Sequence, residues 1–119
     1  MIMSSPLSHI DTWINAVQTK DPDKVVSLYA ADAVLIPTVS NQIRYTQDER
    51  RDYFVHFLAK GPRCTVDSSH IQQLSDNAIT VSGIYTFVFE DRSQVSARFT
   101  FIFGQDGTIS HHHSSLLPE

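Results

Sequence analysis

Residues 108–118 read TISHHHSSLLP, and this stretch contains the most distinctive pattern in the chain, three consecutive histidines followed by two serines. The stretch comes directly after the turn sequence GQDG at residues 104–107, which predicts a terminal β-strand that begins after a tight turn. An expression tag is usually longer and stands at the very end, whereas this run continues into SSLLPE. We therefore interpret the histidines as part of a strand that lies at the edge of a cavity.

The composition indicates one soluble globular domain over residues 1–119, with 41% hydrophobic and 18% charged residues. The net charge of −4 and the absence of a basic run argue against nucleic acid or an anionic membrane as a partner. Cys64 is the only cysteine, which fits a reducing cytoplasm. The first residues lack a signal-peptide pattern, and no apolar run approaches the roughly 20 residues of a membrane helix.

Helical patterns fill the first half of the sequence. Apolar residues at three- and four-residue spacing predict a helix over residues 7–19, with Ser4 or Ser5 as its cap. A shorter helix is predicted from Pro22 to about residue 32, followed by a short strand at residues 33–36 and a loop with a brief strand at Ile43. Thr46 and Glu49 fit the capping box of a third helix, which ends at GP in positions 61–62.

Strand patterns fill the second half. Residues 63–74, 78–90, 93–103 and the histidine stretch are predicted as four long strands joined by hairpins. Three helices followed by consecutive strands indicate an α+β fold, in which a curved antiparallel sheet carries its helices on one face.

The last strands suggest a second copy of the chain. We expect that their apolar side chains cannot all share one sheet face, and the residues concerned are Val81, Phe87, Phe89, Phe99, Phe101 and Phe103. A sheet covered by helices on one side should be polar on the other side. The sequence therefore predicts a homodimer, with phenylalanines of the last three strands in the interface.

A family resemblance rests on three segments: GIYTF from residue 83, ARFTF from residue 97, and ISHHHSSLLP from residue 109. They resemble SgcJ/EcaC-type members of the nuclear-transport-factor-2-like (cystatin-like) superfamily. That superfamily also includes SnoaL-like cyclases and the association domain of calcium/calmodulin-dependent protein kinase II. The resemblance implies a cone-shaped sheet wrapped around the N-terminal helix, a pocket at its open end, and dimers that pack sheet against sheet. It does not imply one activity, because the superfamily contains enzymes, binding proteins and assembly modules.

Arg98 is the first candidate site residue, because it is a charged residue in the middle of an apolar strand. If Asp91 and Arg92 form a two-residue hairpin loop, Tyr85 lies directly opposite Arg98 on the same face. A guanidinium and a phenol that both face the cone could bind a small carboxylate or enolate. The alternative is a structural ion pair between Arg98 and an acid such as Asp32 or Glu90.

The histidines allow two registers. A regular four-residue loop at residues 104–107 would pair Arg98 with His113. The resemblance to the kinase association domain instead implies that His112 and Ser114 face the pocket. In that alignment the family's pocket arginines fall at Tyr85, Arg98 and Ser114, so this sequence keeps only the arginine at position 98. A β-bulge would account for the difference. We favour the second register and keep His113 as the alternative.

Other candidates have simpler explanations. Trp13, Tyr29 and Tyr53 could line the pocket or could be ordinary core residues. Neighbouring histidines on a strand point in opposite directions and no carboxylate lies at ligand spacing, so we expect no metal site and no cofactor. No pair of carboxylates is evident, which argues against the chemistry of a ketosteroid isomerase.

Three functions remain open from the sequence. The first is a small-molecule-binding domain whose apolar pocket holds an anionic ligand through Arg98, with Trp13, Tyr85, His112, His113 and Ser114 as further pocket residues. The second is an association module with a vestigial pocket. The third is a SnoaL-like cyclase or isomerase, in which a histidine near Arg98 acts as a general base.

Overall fold

The computed structural model describes residues 6–118, and the side chains of residues 9–118. The predicted cap at Ser4 or Ser5 therefore lies outside the described residues. Three helices and five strands follow in chain order: α1 (Pro6–Gln18), α2 (Pro22–Val26), β1 (Tyr29–Ile36), α3 (Gln47–Leu58), β2 (Arg63–Ser75), β3 (Ala78–Val88), β4 (Gln94–Gly104) and β5 (Ile109–Leu116). The predicted α+β fold with a helix-covered sheet is confirmed.

The five strands form one sheet in the order β1-β5-β4-β3-β2. The four long strands pair antiparallel, as predicted, whereas β1 runs parallel to β5 at the edge of the sheet. The sheet is therefore mixed rather than purely antiparallel. The histidine strand β5 therefore lies inside the sheet, between β1 and β4.

The third helix begins as its sequence predicts. The Thr46 hydroxyl accepts a hydrogen bond from the Glu49 amide at 3.1 Å, and the Glu49 carboxylate accepts one from the Thr46 amide at 3.0 Å. These two bonds satisfy amides that the helix itself cannot pair. The predicted brief strand at Ile43 is displaced by one residue, because Arg44 forms an isolated bridge with Leu35.

The end of α2 differs from the prediction. The helix ends at Val26, and Tyr29 already belongs to β1. The spacing of Val25, Val26 and Tyr29 is compatible with a helix, but Tyr29 is 3% exposed and its hydroxyl binds groups on α1 and β5. Tertiary contacts of this one side chain therefore override a weak helical pattern.

The β3–β4 hairpin has a longer loop than predicted. Phe89 and Ser93 face each other, since the Phe89 amide donates to the Ser93 carbonyl at 2.9 Å. Three residues rather than two lie between them, and Arg92 has the left-handed φ of 71° that closes such loops. The extra residue changes the register by one, so Tyr85 pairs with Ala97 and Arg98 pairs with Ile84. The predicted pairing of Tyr85 with Arg98 is therefore wrong.

The β4–β5 turn, in contrast, is one residue shorter than predicted. Gly104 pairs with Thr108, and Gly107 adopts a φ of 84° in the turn between them. An irregularity follows between Ile102 and Phe103, beyond which Phe101 pairs with His112 and Phe99 with Ser114. This irregularity agrees with the predicted bulge. The shorter turn adds a second shift of one residue, so Arg98 pairs with Ser115 and shares its face with His113 rather than with Ser114.

The apolar side chains of β3 and β4 share one face, contrary to the prediction. The hairpin register places odd-numbered residues of both strands side by side. This inner face is covered by the helices, and its large apolar side chains are buried or half-buried: Val81, Phe87, Phe89, Phe99, Phe101 and Phe103. These phenylalanines are core residues, so they cannot form the predicted dimer interface.

The pairing of β2 with β3 has an irregularity at Gly83. The pairing of β2 with β3 shifts between Val66 and Ser68, and the backbone of the displaced segment passes over Gly83. A Cβ at position 83 would stand 1.9 Å from the Ser68 carbonyl oxygen. Only glycine allows this close approach of the two backbones.

Arg50 joins α3 to β1. Its side chain is fully buried, and its guanidinium donates to the carbonyls of Ala33 at 2.5 Å, Ala30 at 3.0 Å and Ala31 at 3.2 Å. Burial lowers the pKa of Arg50 from its ordinary value.

No helix in the described part of the chain is long and apolar enough to cross a membrane.

Candidate functional site

A small cavity lies between α1, α3 and the inner face of the sheet. The space that the centre of a water molecule can occupy there is about 10 Å³, which suffices for about one water. Aromatic rings form most of its wall, and hydroxyl groups and one imidazole lie at its end. The lining residues used below are Trp13, Thr38, Tyr53, Tyr85, His112 and Ser114.

Six side chains form a continuous line of hydrogen bonds at this cavity, which we call the polar chain. The Trp13 indole N–H donates to the Tyr29 hydroxyl at 3.1 Å. That hydroxyl lies 2.8 Å from His112 Nδ1, and His112 Nε2 lies 3.1 Å from the Tyr85 hydroxyl. Two further links run from Tyr85 to Ser114 Oγ at 2.7 Å, and from Ser114 to the hydroxyl of Thr38.

The direction of the polar chain follows from its first member. An indole can only donate, so the oxygen of Tyr29 accepts and its proton must go to His112 Nδ1. The opposite assignment would leave the buried Tyr29 proton without an acceptor. His112 therefore carries its proton on Nε2 and donates it to the Tyr85 oxygen, and Tyr85 donates onward to Ser114.

His112 is a neutral imidazole. Its ring stacks on Phe101 with centroids 3.9 Å apart, and its side chain is only 3% exposed. Burial lowers its pKa to about 3, and the neighbouring His111 and His113 lower it further in the same direction. At neutral pH it is therefore a hydrogen-bond relay and a weak base.

The tyrosines of the cavity are also neutral, because burial raises the pKa of each phenol. The pKa of Tyr85 lies well above its ordinary value, and that of Tyr53 rises to about 12. Thr38 offsets part of the shift at Tyr53 by hydrogen bonding to it. Tyr53 also lines a second, outer groove, so its ring separates the cavity from that groove.

Four of the predicted pocket residues meet at the cavity: Trp13, Tyr85, His112 and Ser114. Trp13 lies parallel to Tyr85 with ring centroids 6.0 Å apart, so the indole packs on the phenol that the sheet supplies. The register that places His112 and Ser114 inside agrees with the pairing of β5.

The other two predicted residues lie on the opposite face of the sheet. Arg98 is exposed, and no ion pair joins it to Asp32 or Glu90 among the described residues. His113 is half-buried beside Thr100 and Ile36. The three-residue β3–β4 loop places Arg98 on this face, and the pairing of β4 with β5 places His113 there as well. The predicted inward position of Arg98 is therefore wrong, and the same is true of His113.

Two members of the polar chain were not assigned this role from the sequence. The sequence indicates only that Tyr29 lines the pocket or belongs to the core, and that Thr38 lies in a loop. Nothing local to Thr38 signals its contact with Ser114, because 76 residues separate them in the chain. Arg50 could have been found, since it precedes Tyr53, Phe54 and Phe57 at the spacing of one helix face.

The cavity has no acidic group and no cluster of potential metal ligands in the part of the chain that is described. No carboxylate lines it, and no cluster of three or more potential metal ligands occurs among residues 6–118. Its polar atoms are paired with one another, since no buried side-chain nitrogen or oxygen in the described region lacks a hydrogen-bond partner. The arrangement can accept or donate hydrogen bonds to a neutral group but offers no fixed charge.

Comparisons with known structures agree with the fold. A putative calcium/calmodulin-dependent protein kinase II association domain from Xanthomonas campestris is 39% identical with a TM-score of 0.88, over 95% of this chain and 86% of that one. A protein with a cystatin-like fold from Nostoc punctiforme is 17% identical with a TM-score of 0.78, over 100% and 97% of the two chains. An NTF-2-like protein from Shewanella oneidensis is 19% identical with a TM-score of 0.75, over 92% and 94%.

A search of curated proteins finds no significant match. A family model, in contrast, matches residues 7–118, which is nearly the whole chain. The resemblance stated from the GIYTF, ARFTF and ISHHHSSLLP segments is thereby confirmed. This chain belongs to the calcium/calmodulin-dependent protein kinase II association domain family.

Proposed function

We propose that this chain is an association module that pairs with a second copy of itself through the outer face of its sheet. The observation that carries the proposal is the exposed face of β3, β4 and β5, on which small and β-branched side chains alternate with the buried inner residues. Its members include Ile84, Thr86, Thr100 and Ile102. Membership in an association-domain family supports a second copy as the occupant.

The chemistry of the outer face suits sheet-on-sheet packing. Thr86 and Ser96 face each other across β3 and β4 and share a hydrogen bond of 2.8 Å, so their hydroxyls are already partly satisfied. Short side chains allow two sheets to approach to about 10 Å. Arg98 is the only residue with a full charge among the outward-facing residues of β4, which keeps the desolvation cost low.

Light scattering of two matched variants tests the proposal. Ile102→Arg places a cation on the outer face, whereas Val55→Arg places one on the exposed side of α3, where Val55 is 40% exposed. We expect the parent and Val55→Arg to show at least twice the chain mass of 13.4 kDa at micromolar concentration, and Ile102→Arg to dissociate. A monomeric parent, or an Ile102→Arg variant of unchanged mass, contradicts the proposal.

A second candidate is the binding of a small neutral molecule in the cavity, which must widen to admit one because its present space holds about one water. The polar chain ends at hydroxyls beside an aromatic wall, an arrangement suited to a ligand with one polar group. A charged ligand has no counter-ion there, because Arg98 lies outside and His112 is neutral. Titration with phenol, followed by the NMR signals of Trp13 and Tyr85, tests this candidate, and unchanged signals contradict it.

The alternative of a cyclase or isomerase has less support from the site. Acid–base chemistry is most effective when the pKa of the catalytic group lies near the working pH. Burial lowers the pKa of His112 to about 3, and no carboxylate lines the described part of the cavity. Turnover that is lost in His112→Gln would be the observation in its favour.

A further inference from the structure

A second cavity lies on the outside of α3, and we call it the α3 groove. It is defined by Ser40 and Arg44 from the segment after β1, by Tyr53, His56 and Phe57 from α3, and by Lys60 just after the end of α3. The helical residues recur at three- and four-residue spacing, so they form one face of α3. The groove has about 230 Å³ of space for the centres of water molecules, against about 10 Å³ in the inner cavity.

The groove combines cations with aromatic rings. The Arg44 guanidinium lies 5.5 Å from the centre of the Tyr53 ring, and Tyr53 stacks on Phe57 with centroids 5.7 Å apart. Lys60 places its ammonium 5.7 Å from the Phe89 ring. None of the described residues that line the groove is acidic, although the chain as a whole has a net charge of −4.

One neighbouring acid offsets part of this charge. Asp52 lies one turn before His56 and accepts a hydrogen bond from Arg44 Nη1 at 3.3 Å. Its carboxylate is also 4.0 Å from His56 Nδ1. Lys60 forms no ion pair among the described residues, although its charge also lowers the pKa of Asp91, which lines the neighbouring pocket on the other side of Lys60. Its ammonium is therefore the least neutralised cation of the groove.

The donors that remain free determine the kind of anion. Arg44 already donates to the Gln42 and Glu49 carbonyls, to Asp52 and to Ser40, which occupies four of its five N–H groups. The groove thus lacks the several convergent donors that a phosphate requires. Lys60 and the remaining Arg44 N–H suit a single carboxylate, and the stacked rings suit a flat apolar body.

We propose that the α3 groove binds small aromatic carboxylates. The carboxylate lies near Lys60 and Arg44, and the ring of the ligand packs on Tyr53 and Phe57. This site is distinct from the outer face of the sheet proposed for association, because α3 covers the inner face through contacts such as that of Phe57 with Phe87. The proposal of ligand binding and the proposal of self-association can therefore be contradicted separately.

An NMR titration of the whole chain with benzoate tests the proposal. We expect saturable shifts confined to residues 39–44 and 53–60. Benzyl alcohol, which has the same ring but no charge, should bind about tenfold more weakly, because a hydrogen bond to a charged group contributes about 1.4 kcal/mol or more. Acetate, which lacks the ring, should also bind more weakly than benzoate.

The matched variants are Lys60→Gln and Lys24→Gln, the latter at an exposed lysine of α2. Lys60→Gln should weaken benzoate about fivefold, as expected for a partly exposed ion pair, and Lys24→Gln should have no effect. Ile102→Arg should leave benzoate affinity unchanged. The proposal is overturned by an absence of saturable binding up to about 20 mM, by shifts centred on the inner cavity, or by equal affinities of the two lysine variants.

Discussion

The two faces of β4 and β5 are built from alternating residues of the same strands, yet they have opposite properties. On the inner face, Phe101 and His112 stack on each other and are fully buried. On the outer face, their chain neighbours Thr100 and His113 pair with each other and remain half-exposed. The inner face is therefore a closed core with all its polar groups paired, and the outer face is a surface available to a partner.

The largest expected difference between the faces is in packing. Phe101→Ala should lower the free energy of unfolding by about 3–5 kcal/mol, because it removes a ring that contacts Trp13, Phe99 and Phe103. Thr100→Ala should change it by less than about 0.5 kcal/mol. Urea denaturation in the Ile102→Arg background measures both without a contribution from association. Similar losses at the two positions would contradict the assignment of the faces.

A smaller effect is expected from the polar chain. Tyr85→Phe removes the hydroxyl that accepts from His112 and donates to Ser114, so His112 Nε2 loses its acceptor and Ser114 keeps only its bond with Thr38. We expect a loss of about 1–3 kcal/mol in the free energy of unfolding. Tyr45→Phe is the control, because Tyr45 is 57% exposed. If Tyr85→Phe is as stable as the parent, the hydrogen bonds of the polar chain do not contribute to the stability of the fold.

Acid should destabilise the protein through His112. The folded pKa of His112 is lowered to about 3 from an ordinary value of 6.5, so the unfolded state binds the proton first as the pH falls. Stability from this group is complete above pH 6.5 and decreases between pH 6.5 and 3. The loss from pH 7 to pH 5 is about 2 kcal/mol, since each pH unit below 6.5 corresponds to 1.36 kcal/mol. His113→Gln should retain this dependence, and His112→Gln should lose it.

The smallest effect is expected at Arg98. Its side chain is exposed on the outer face, so Arg98→Met should change the free energy of unfolding by less than about 0.5 kcal/mol in the Ile102→Arg background. A buried ion pair at this position would instead cost about 3–5 kcal/mol when broken. A large loss would show that Arg98 has a structural partner.

Arg98 also shows where prediction from the sequence ends. Alternation of apolar residues identified the strands and grouped Phe99, Phe101 and Phe103 on one face, because burial requires that period. The face of Arg98 depended on whether the hairpin loop has two residues or three. The three-residue loop is possible because Arg92 adopts a left-handed φ of 71°. A glycine at this position would have indicated such a conformation in the sequence, whereas an arginine does not.

The candidate site was predictable in part for the same reason. The family resemblance placed His112 and Ser114 inside, and they do lie opposite the inward-facing Phe101 and Phe99. Tyr29 and Thr38 could not be added, since their contacts with β5 join residues that are more than 70 positions apart. The end of α2 was misplaced because the side chain of Tyr29 is fixed by these same contacts.

The protonation state of His112 is the most direct test of the two-faced sheet. Two-dimensional NMR of protein labelled with ¹⁵N in histidine separates neutral from charged rings and identifies the protonated nitrogen. The structure predicts that His112 stays neutral, with its proton on Nε2, at every pH from 7 down to 5. An imidazolium at pH 6, or a proton on Nδ1, would contradict both the direction of the polar chain and the closed inner face.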